Sequence, residues 1–173
     1  LYKENDKKIP INYYAKTKSE AEDNIIKTCK KYLIIRTNFF GWGSPYRTSF
    51  TDYVIKNLSL KNNIYLNDDI FFTPMYLGNL IDCLNILIIK NKNGIYNISS
   101  DKKISKYSFG KKIAKIFDLD DSLIIQNKKI EILKPKNMAL DNSKISKTVP
   151  KKLLNLASNL TNLKTDFEKP YIR

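Results

Sequence analysis

The chain has 173 residues, of which 31 are lysine or arginine and 17 are aspartate or glutamate, giving a formal net charge of +14 at pH 7. It contains no histidine, which excludes catalytic triads built on histidine and zinc sites that have histidine ligands. Its five glycines are too scattered for a phosphate-binding G-x-G-x-x-G or G-x-x-x-x-G-K-[ST] loop.

The first part of the chain alternates helical and strand patterns, which is typical of an α/β fold. Asn12 is the predicted N-cap of a helix that extends to about Lys31. The apolar line of this helix consists of Tyr14, Ala21, Ile25 and Cys29. The run 32–37 (YLIIRT) predicts a strand buried on both faces of a parallel sheet. The segment 39–46 (FFGWGSPY) predicts a loop, and 49–58 predicts a second helix.

Shorter elements follow in the middle of the chain. Two brief strands are predicted around residues 67–69, ending at Pro74, and a well-buried helix is predicted over 77–89. Residues 93–99 (NGIYNIS) predict another strand, and a helix is expected to begin near Ser105.

The last part of the chain predicts three more elements. They are a strand in 122–127 (SLIIQN), a short helix in 141–149 capped by Asp141 or Asn142, and a helix over 149–160 opened by Pro150.

Cellular setting is inferred from cysteines and apolar segments. Cys29 and Cys83 lie in apolar helical patterns, so neither a disulfide framework nor a cysteine-rich metal site is supported, and we expect a reducing, cytoplasmic setting. The longest apolar stretch, at 84–89, is far shorter than the roughly 20 residues that span a bilayer.

The positive charge invites a nucleic-acid hypothesis, but the residue types favour another interpretation. Only Arg36, Arg47 and Arg173 are arginines, whereas recognition of bases and phosphates favours the guanidinium group. The lysines are dispersed among Asn and Ile, all of which have A/T-rich codons, so genomic composition explains them. A nucleic-acid binder remains the weaker hypothesis.

The most informative local pattern is Tyr14-x-x-x-Lys18. On a helix these residues lie one turn apart, and both continue the apolar line, which predicts a lysine on the buried side of the helix. The charge of such a lysine would favour the phenolate form of Tyr14 and suit it to proton transfer. The alternative is an aromatic core residue beside a lysine that extends to solvent.

Five motifs in order carry a resemblance to a known family. PINYYAKTKSEAE (10–22) resembles the P-x-N-x-Y-G-x-S-K-x-x-x-E segment of extended short-chain dehydrogenases/reductases, in particular the dTDP-4-dehydrorhamnose reductase branch. The other four motifs are YLIIRTNFFGWG, FFTPMYLGNLIDCLNIL, GIYNISSDKKISKYSFGKKIAKIFDL and KPKNMALDNSKI, and together the resemblance covers Pro10 to about Lys147.

This resemblance implies a fold and a division of the chain. Residues 1–45 would be the C-terminal part of a Rossmann-like NAD(P)-binding sheet, carrying the Tyr/Lys helix, and 46–173 would be a small α/β substrate-binding part interleaved with the end of the sheet. The family's glycine-rich loop and catalytic Ser/Thr have no counterpart in the chain. We therefore expect a segment that begins at Leu1 not to turn over by itself.

The resemblance also implies an activity. NADPH or NADH would reduce the C4 carbonyl of a nucleotide-linked 4-keto-6-deoxysugar while Tyr14 donates the proton, and Lys18 would bind the cofactor ribose. Tyr14, Lys18, Thr37 and Asn38 would contact the cofactor. Asn38, Phe39 and Thr73 would contact the sugar, although Asn38 to Phe40 stands where this branch commonly has a tryptophan.

Other partners and activities follow from the same resemblance. A nucleotide sugar is the expected partner, with neither nucleic acid nor membrane, no metal, and a homodimer left open. An epimerase or dehydratase with the same Tyr and Lys is the enzymatic alternative, and a non-catalytic binding module on this fold is the other.

Overall fold

The computed structural model describes residues 1–127 and 135–169, and in these ranges it has the predicted α/β class. The helices described are Tyr13–Thr28 (α1), Phe50–Ser59 (α2), Leu77–Ile89 (α3), Lys106–Ile116 (α4), Lys151–Leu154 (α5) and Leu156–Phe167 (α6). The strands described are Leu33–Arg36 (β1), Asn38–Phe40 (β2), Ile64–Asn67 (β3), Phe71–Phe72 (β4), Pro74–Tyr76 (β5), Gly94–Asn97 (β6), Ile104–Ser105 (β7) and Ile124–Asn127 (β8).

Three of the four strand pairs in the described ranges are parallel. β1 pairs with β6, so that Leu33 lies opposite Gly94, and β2 continues the same direction and pairs with β5. β3 pairs with β8 in parallel, whereas β4 and β7 are antiparallel. The parallel pairing agrees with the parallel sheet predicted from residues 32–37 and with the Rossmann-like sheet that the resemblance implies.

Side-chain caps explain where the helices begin. Asn12 accepts a hydrogen bond from the backbone N–H of Ala15 at 2.8 Å, as predicted for α1. Ser49 and Asp52 form a capping box at the start of α2. Ser105 caps α4 through a single hydrogen bond, which its hydroxyl accepts from the backbone N–H of Ser108.

Two groups of buried apolar side chains form the interior. The larger group joins α2, α4 and α6 to the β3–β8 and β4–β7 pairs around the ring of Phe109. The smaller group joins α3 and α5 to β5 and β6 around Met75 and Cys83. The buried position of Cys83 confirms its predicted place on an apolar helix face.

Some predicted elements differ from those observed. Phe39 and Phe40 belong to β2 instead of the predicted loop over 39–46, and Pro74 begins β5 instead of ending a predicted strand. The C-terminal helix is interrupted at Asn155, because this residue ends α5 and caps α6. In 141–149 the structure has only a 3₁₀ turn at Ile145–Lys147. Lys134 of the last family motif lies outside the described residues.

Two helices are less buried than predicted. α1 has no buried residue at all, and its predicted apolar line, including Ile25 and Cys29, is exposed. The prediction of a buried line on α1 is therefore wrong for the described chain, because no described element packs over that side. On α3 only Asn79, Cys83 and Leu87 are buried, and the predicted apolar positions Leu77, Ile81 and Ile88 are exposed. No helix in the ranges 1–127 and 135–169 has the length and apolar character to cross a membrane.

Candidate active site

The predicted catalytic pair occupies the first two turns of α1. Tyr14 is the second residue of the helix, and the residue is 71% exposed. The Lys18 ammonium lies 5.6 Å from the centroid of the Tyr14 ring, so the two side chains emerge together. The structure thus confirms their adjacency and contradicts the predicted burial. Both polar ends are open to a ligand.

A second group of predicted residues lies where β2 and β5 meet. The Asn38 Oδ1 atom is 3.4 Å from both the backbone N and the Oγ1 atom of Thr73. Thr73 is only 1% exposed, and its hydroxyl also accepts from the backbone N–H of Leu140 at 3.1 Å. Thr73 therefore orients the Asn38 side chain instead of facing solvent itself.

The two residues on either side of Asn38 have contrasting surroundings. The Thr37 Oγ1 atom is buried, and no group among the described residues forms a hydrogen bond with it. Phe39 is exposed between the half-buried Asn38 and the buried Phe40. This edge of the sheet thus offers an orphaned hydroxyl, an oriented amide and an open aromatic face.

An ion pair connects α1 to the strand that leads into this edge. The Arg36 Nε and Nη2 atoms donate to the two carboxylate oxygens of Glu22 at 2.9 and 2.6 Å. The side chains are only 20% and 17% exposed, respectively. Glu22 follows Lys18 by one helical turn, and Arg36 directly precedes Thr37, so the pair links the two groups of predicted residues.

Further charged groups surround this ion pair. Lys8 donates to the Asp23 carboxylate at 2.7 Å and lies 3.6 Å from the Glu22 carboxylate. Arg36 Nη1 also donates to the backbone carbonyl of Glu4 at 3.2 Å, while the Glu4 carboxylate accepts from the N–H of Asn97. These contacts attach the N-terminal segment, α1, β1 and β6 to one another.

The same contacts shift the ionisation of the pair. The hydrogen bond from Arg36 lowers the pKa of Glu22 below its usual range despite the opposing effect of burial, and the charge of Lys8 acts in the same direction. The hydrogen bond to Glu22 raises the pKa of Arg36. Both groups are therefore charged near neutral pH.

The predicted residues thus form two clusters, Tyr14 with Lys18 and Thr37–Phe39 with Thr73. No hydrogen bond between described residues joins one cluster directly to the other. The pairing of Glu22 with Arg36 was not predicted, yet the sequence carries a signal for it. An arginine at the end of an apolar strand needs a partner, and Glu22 follows Lys18 at the same four-residue spacing that separates Tyr14 from Lys18.

Two surface clefts lie away from these predicted residues. No cluster of metal-ligating side chains occurs in the part of the chain that the structure describes. A cleft of about 580 Å³ lies between Asp101, Ser146 and Lys151, and another of about 390 Å³ lies beside Tyr76 and Asp166. Neither of these two clefts is lined by a predicted site residue.

Comparison with known proteins identifies related chains. Residues 1–168 match the family model of the RmlD substrate binding domain. A probable low-salt glycan biosynthesis reductase, Agl14, of Haloferax volcanii is 27% identical over 128 residues, which cover 72% of this chain and 42% of that protein. The spore coat polysaccharide biosynthesis protein SpsK of Bacillus subtilis is also 27% identical, over 124 residues covering 71% of this chain and 42% of that protein.

Solved structures show the same fold at lower identity. The dTDP-4-dehydrorhamnose reductase of Bacillus anthracis, in complex with NADP, matches with a TM-score of 0.84 at 22% identity, covering 95% of this chain and 59% of that one. An orthologue from Clostridium acetobutylicum matches with a TM-score of 0.85 at 21% identity, covering 97% and 60%. The chain therefore spans less than half the length of the curated relatives and about three fifths of these structures.

Proposed function

Because the chain belongs to the RmlD substrate binding domain family, we propose that it carries the proton-donating and sugar-binding residues of an NAD(P)-dependent reductase. The proposed substrate is a nucleotide-linked 4-keto-6-deoxysugar. In the proposed division, residues 1–45 belong to the cofactor-binding sheet and 46–173 to the substrate-binding part. The observation that carries the proposal is the exposed Tyr14–Lys18 pair on α1.

The residues of the site fit a nicotinamide dinucleotide. The buried Thr37 hydroxyl lacks a hydrogen-bond partner among the described residues, and the exposed Tyr14 and Lys18 side chains offer a hydroxyl and an ammonium group side by side. When bound, the cofactor supplies a hydride to the carbonyl carbon of the sugar.

The chain's own residues supply the proton and orient the ligands. The Tyr14 hydroxyl donates its proton to the sugar oxygen as negative charge develops there. Lys18 donates hydrogen bonds to the ribose hydroxyls and stabilises the phenolate that Tyr14 becomes. Asn38 and Phe39 border the sugar, and Thr73 holds the Asn38 amide in place.

The test uses a full-length protein that contains this chain. We expect oxidation of NADPH or NADH in proportion to dTDP-4-keto-6-deoxyglucose consumed, followed by absorbance. An epimerase or dehydratase would instead convert a nucleotide sugar with no net oxidation of added cofactor. The fold alone does not separate these, because a dTDP-glucose 4,6-dehydratase of Streptomyces venezuelae also matches with a TM-score of 0.75 at 15% identity.

A neighbouring tyrosine provides a matched control. Tyr14→Phe should lower kcat by about 10² or more while cofactor affinity stays nearly unchanged. Tyr13→Phe removes a hydroxyl from the adjacent, similarly exposed position and should change kcat less than about twofold. Equal effects of the two substitutions would refute the role of Tyr14.

A further inference from the structure

Three stretches of sequence without any aspartate or glutamate meet in space. They are residues 24–51, 83–100 and 142–165. The Lys31 Nζ atom lies 2.5 Å from the Asn91 Oδ1 atom, and the Lys90 Nζ atom donates to the Thr148 carbonyl at 2.9 Å. Lys144 Nζ likewise donates to the Ile95 carbonyl at 2.6 Å. These contacts place the end of α1, the α3–β6 connection and the 3₁₀ turn beside one another.

The lysines at this junction form a surface that we call the lysine face. All six are exposed, and none forms a salt bridge with a carboxylate of the described residues. The lysine face consists of Lys30, Lys31, Lys90, Lys92, Lys144 and Lys147. Positive charge is therefore concentrated here without local neutralisation.

Two large apolar side chains accompany these lysines. Ile88 and Ile89 end α3 directly before Lys90, and they are 60% and 82% exposed. Apolar side chains beside several lysines are the combination by which proteins bind the surface of an anionic bilayer.

The chemistry of the face favours lipid over nucleic acid. Nucleic-acid surfaces use arginine and exposed aromatic rings on which bases stack. No arginine belongs to the lysine face, and the Tyr96 ring, whose centroid lies 4.1 Å from the Lys144 ammonium, is buried. Exposed isoleucines contribute nothing to base stacking, whereas they can enter the boundary between lipid headgroups and acyl chains.

We propose that the lysine face binds the surface of an anionic phospholipid bilayer. The sequence predicted no membrane partner because no segment is long enough to span one, but peripheral binding requires no such segment. The face lies where β1 and β6 begin, whereas Asn38 follows the end of β1, so a chain bound in this way keeps the candidate active site directed away from the lipid.

The test measures binding of the 173-residue chain to vesicles by co-sedimentation. Vesicles contain phosphatidylcholine alone or phosphatidylcholine and phosphatidylglycerol in roughly equal amounts. We expect binding only to the anionic vesicles. Each lysine near such a surface contributes about fivefold in affinity, so reversing three should weaken binding by more than about a hundredfold.

Two matched triple substitutions distinguish the contribution of the lysine face to vesicle binding from that of the net charge. Lys30, Lys92 and Lys147 are replaced by Glu in one variant, and the exposed Lys56, Lys112 and Lys115 in the other. Both variants have a formal charge of +8 instead of +14. The first should lose binding, and the second should retain it within about tenfold. Circular dichroism verifies that both fold.

A further variant tests the apolar contribution. Ile88→Ser with Ile89→Ser keeps the charge and should lower affinity for anionic vesicles by about tenfold. Equal losses in the two triple variants would overturn the proposal, because net charge alone would then explain binding. Absence of binding to anionic vesicles, or tighter binding to duplex DNA or single-stranded RNA than to vesicles, would also overturn it.

Discussion

The ion pair between Glu22 and Arg36 makes a quantitative prediction about Glu22→Gln. Removing one partner of a fully buried pair costs about 3–5 kcal/mol, whereas an exposed pair contributes at most about 1 kcal/mol. Glu22 and Arg36 are 17% and 20% exposed, and glutamine retains one oxygen that can accept from the guanidinium. We therefore expect Glu22→Gln to lower the free energy of unfolding by about 2 kcal/mol.

Urea denaturation followed by circular dichroism measures this change. At a slope of about 2 kcal/mol per molar urea, the midpoint should fall by about 1 M. Glu20→Gln is the matched control on the same helix, because Glu20 is exposed and its only described ion pair, with Lys16, spans 3.9 Å. This control should change the free energy of unfolding by less than about 0.5 kcal/mol.

The difference in free energy of unfolding between the wild type and Glu22→Gln should depend on pH if it is electrostatic in origin. The folded-state pKa of Glu22 lies below the ordinary glutamate value of 4.5, so its contribution is fully present above that pH and is lost as pH falls through the folded-state pKa. The gap between wild type and Glu22→Gln should therefore close in acid. An equal effect of Glu20→Gln and Glu22→Gln, or a gap that does not change with pH, would refute the reasoning.

Two further predictions concern buried polar groups. The Lys106 ammonium lies 3.8 Å from the centroid of the Phe72 ring, and burial lowers the pKa of Lys106 to about 8. Because the folded state disfavours protonation of Lys106, the free energy of unfolding of the wild type should rise between pH 8 and the ordinary lysine pKa of 10.5. Lys106→Met should therefore be more stable than the wild type by about 2 kcal/mol at pH 7. In urea denaturation, this difference between the variant and the wild type should be smaller at about pH 9. The Asn159 side chain makes three hydrogen bonds to backbone groups, so Asn159→Ala should lower the free energy of unfolding by about 3 kcal/mol in thermal denaturation. A Lys106→Met gap that is constant with pH, or an Asn159→Ala midpoint equal to wild type, would contradict these expectations.

Elements with a clear apolar pattern of their own could be predicted from the sequence, including the four-residue strands β1, β6 and β8, whereas β2 and β5 could not. The prediction of α3 over 77–89 matches the observed helix, because thirteen residues carry several repeats of the apolar spacing. β2 and β5 have three residues each, too few to show a period of two. A strand was predicted to end at Pro74, but β5 begins there, because the first position of a strand tolerates a residue without an N–H.

The candidate site, too, could be predicted only in part from the sequence. The adjacency of Tyr14 and Lys18 follows from helical spacing alone, so the sequence sufficed. Their exposure could not be predicted, because an apolar line shows which side of a helix can be buried but not whether another described element packs against that side. The contact of Asn38 with Thr73 depends on the pairing of two strands 35 residues apart, which no local pattern encodes.

Arg36 explains how the separate clusters of the site are held in one arrangement. Its backbone lies in β1 opposite Asn97, its guanidinium binds Glu22 on α1, and the same group binds the carbonyl of Glu4. A lysine would be a single charge without the planar fork that engages two carboxylate oxygens and a carbonyl at once. Arg36, which belongs to neither cluster, therefore links the Tyr14–Lys18 helix to the edge that begins at Thr37.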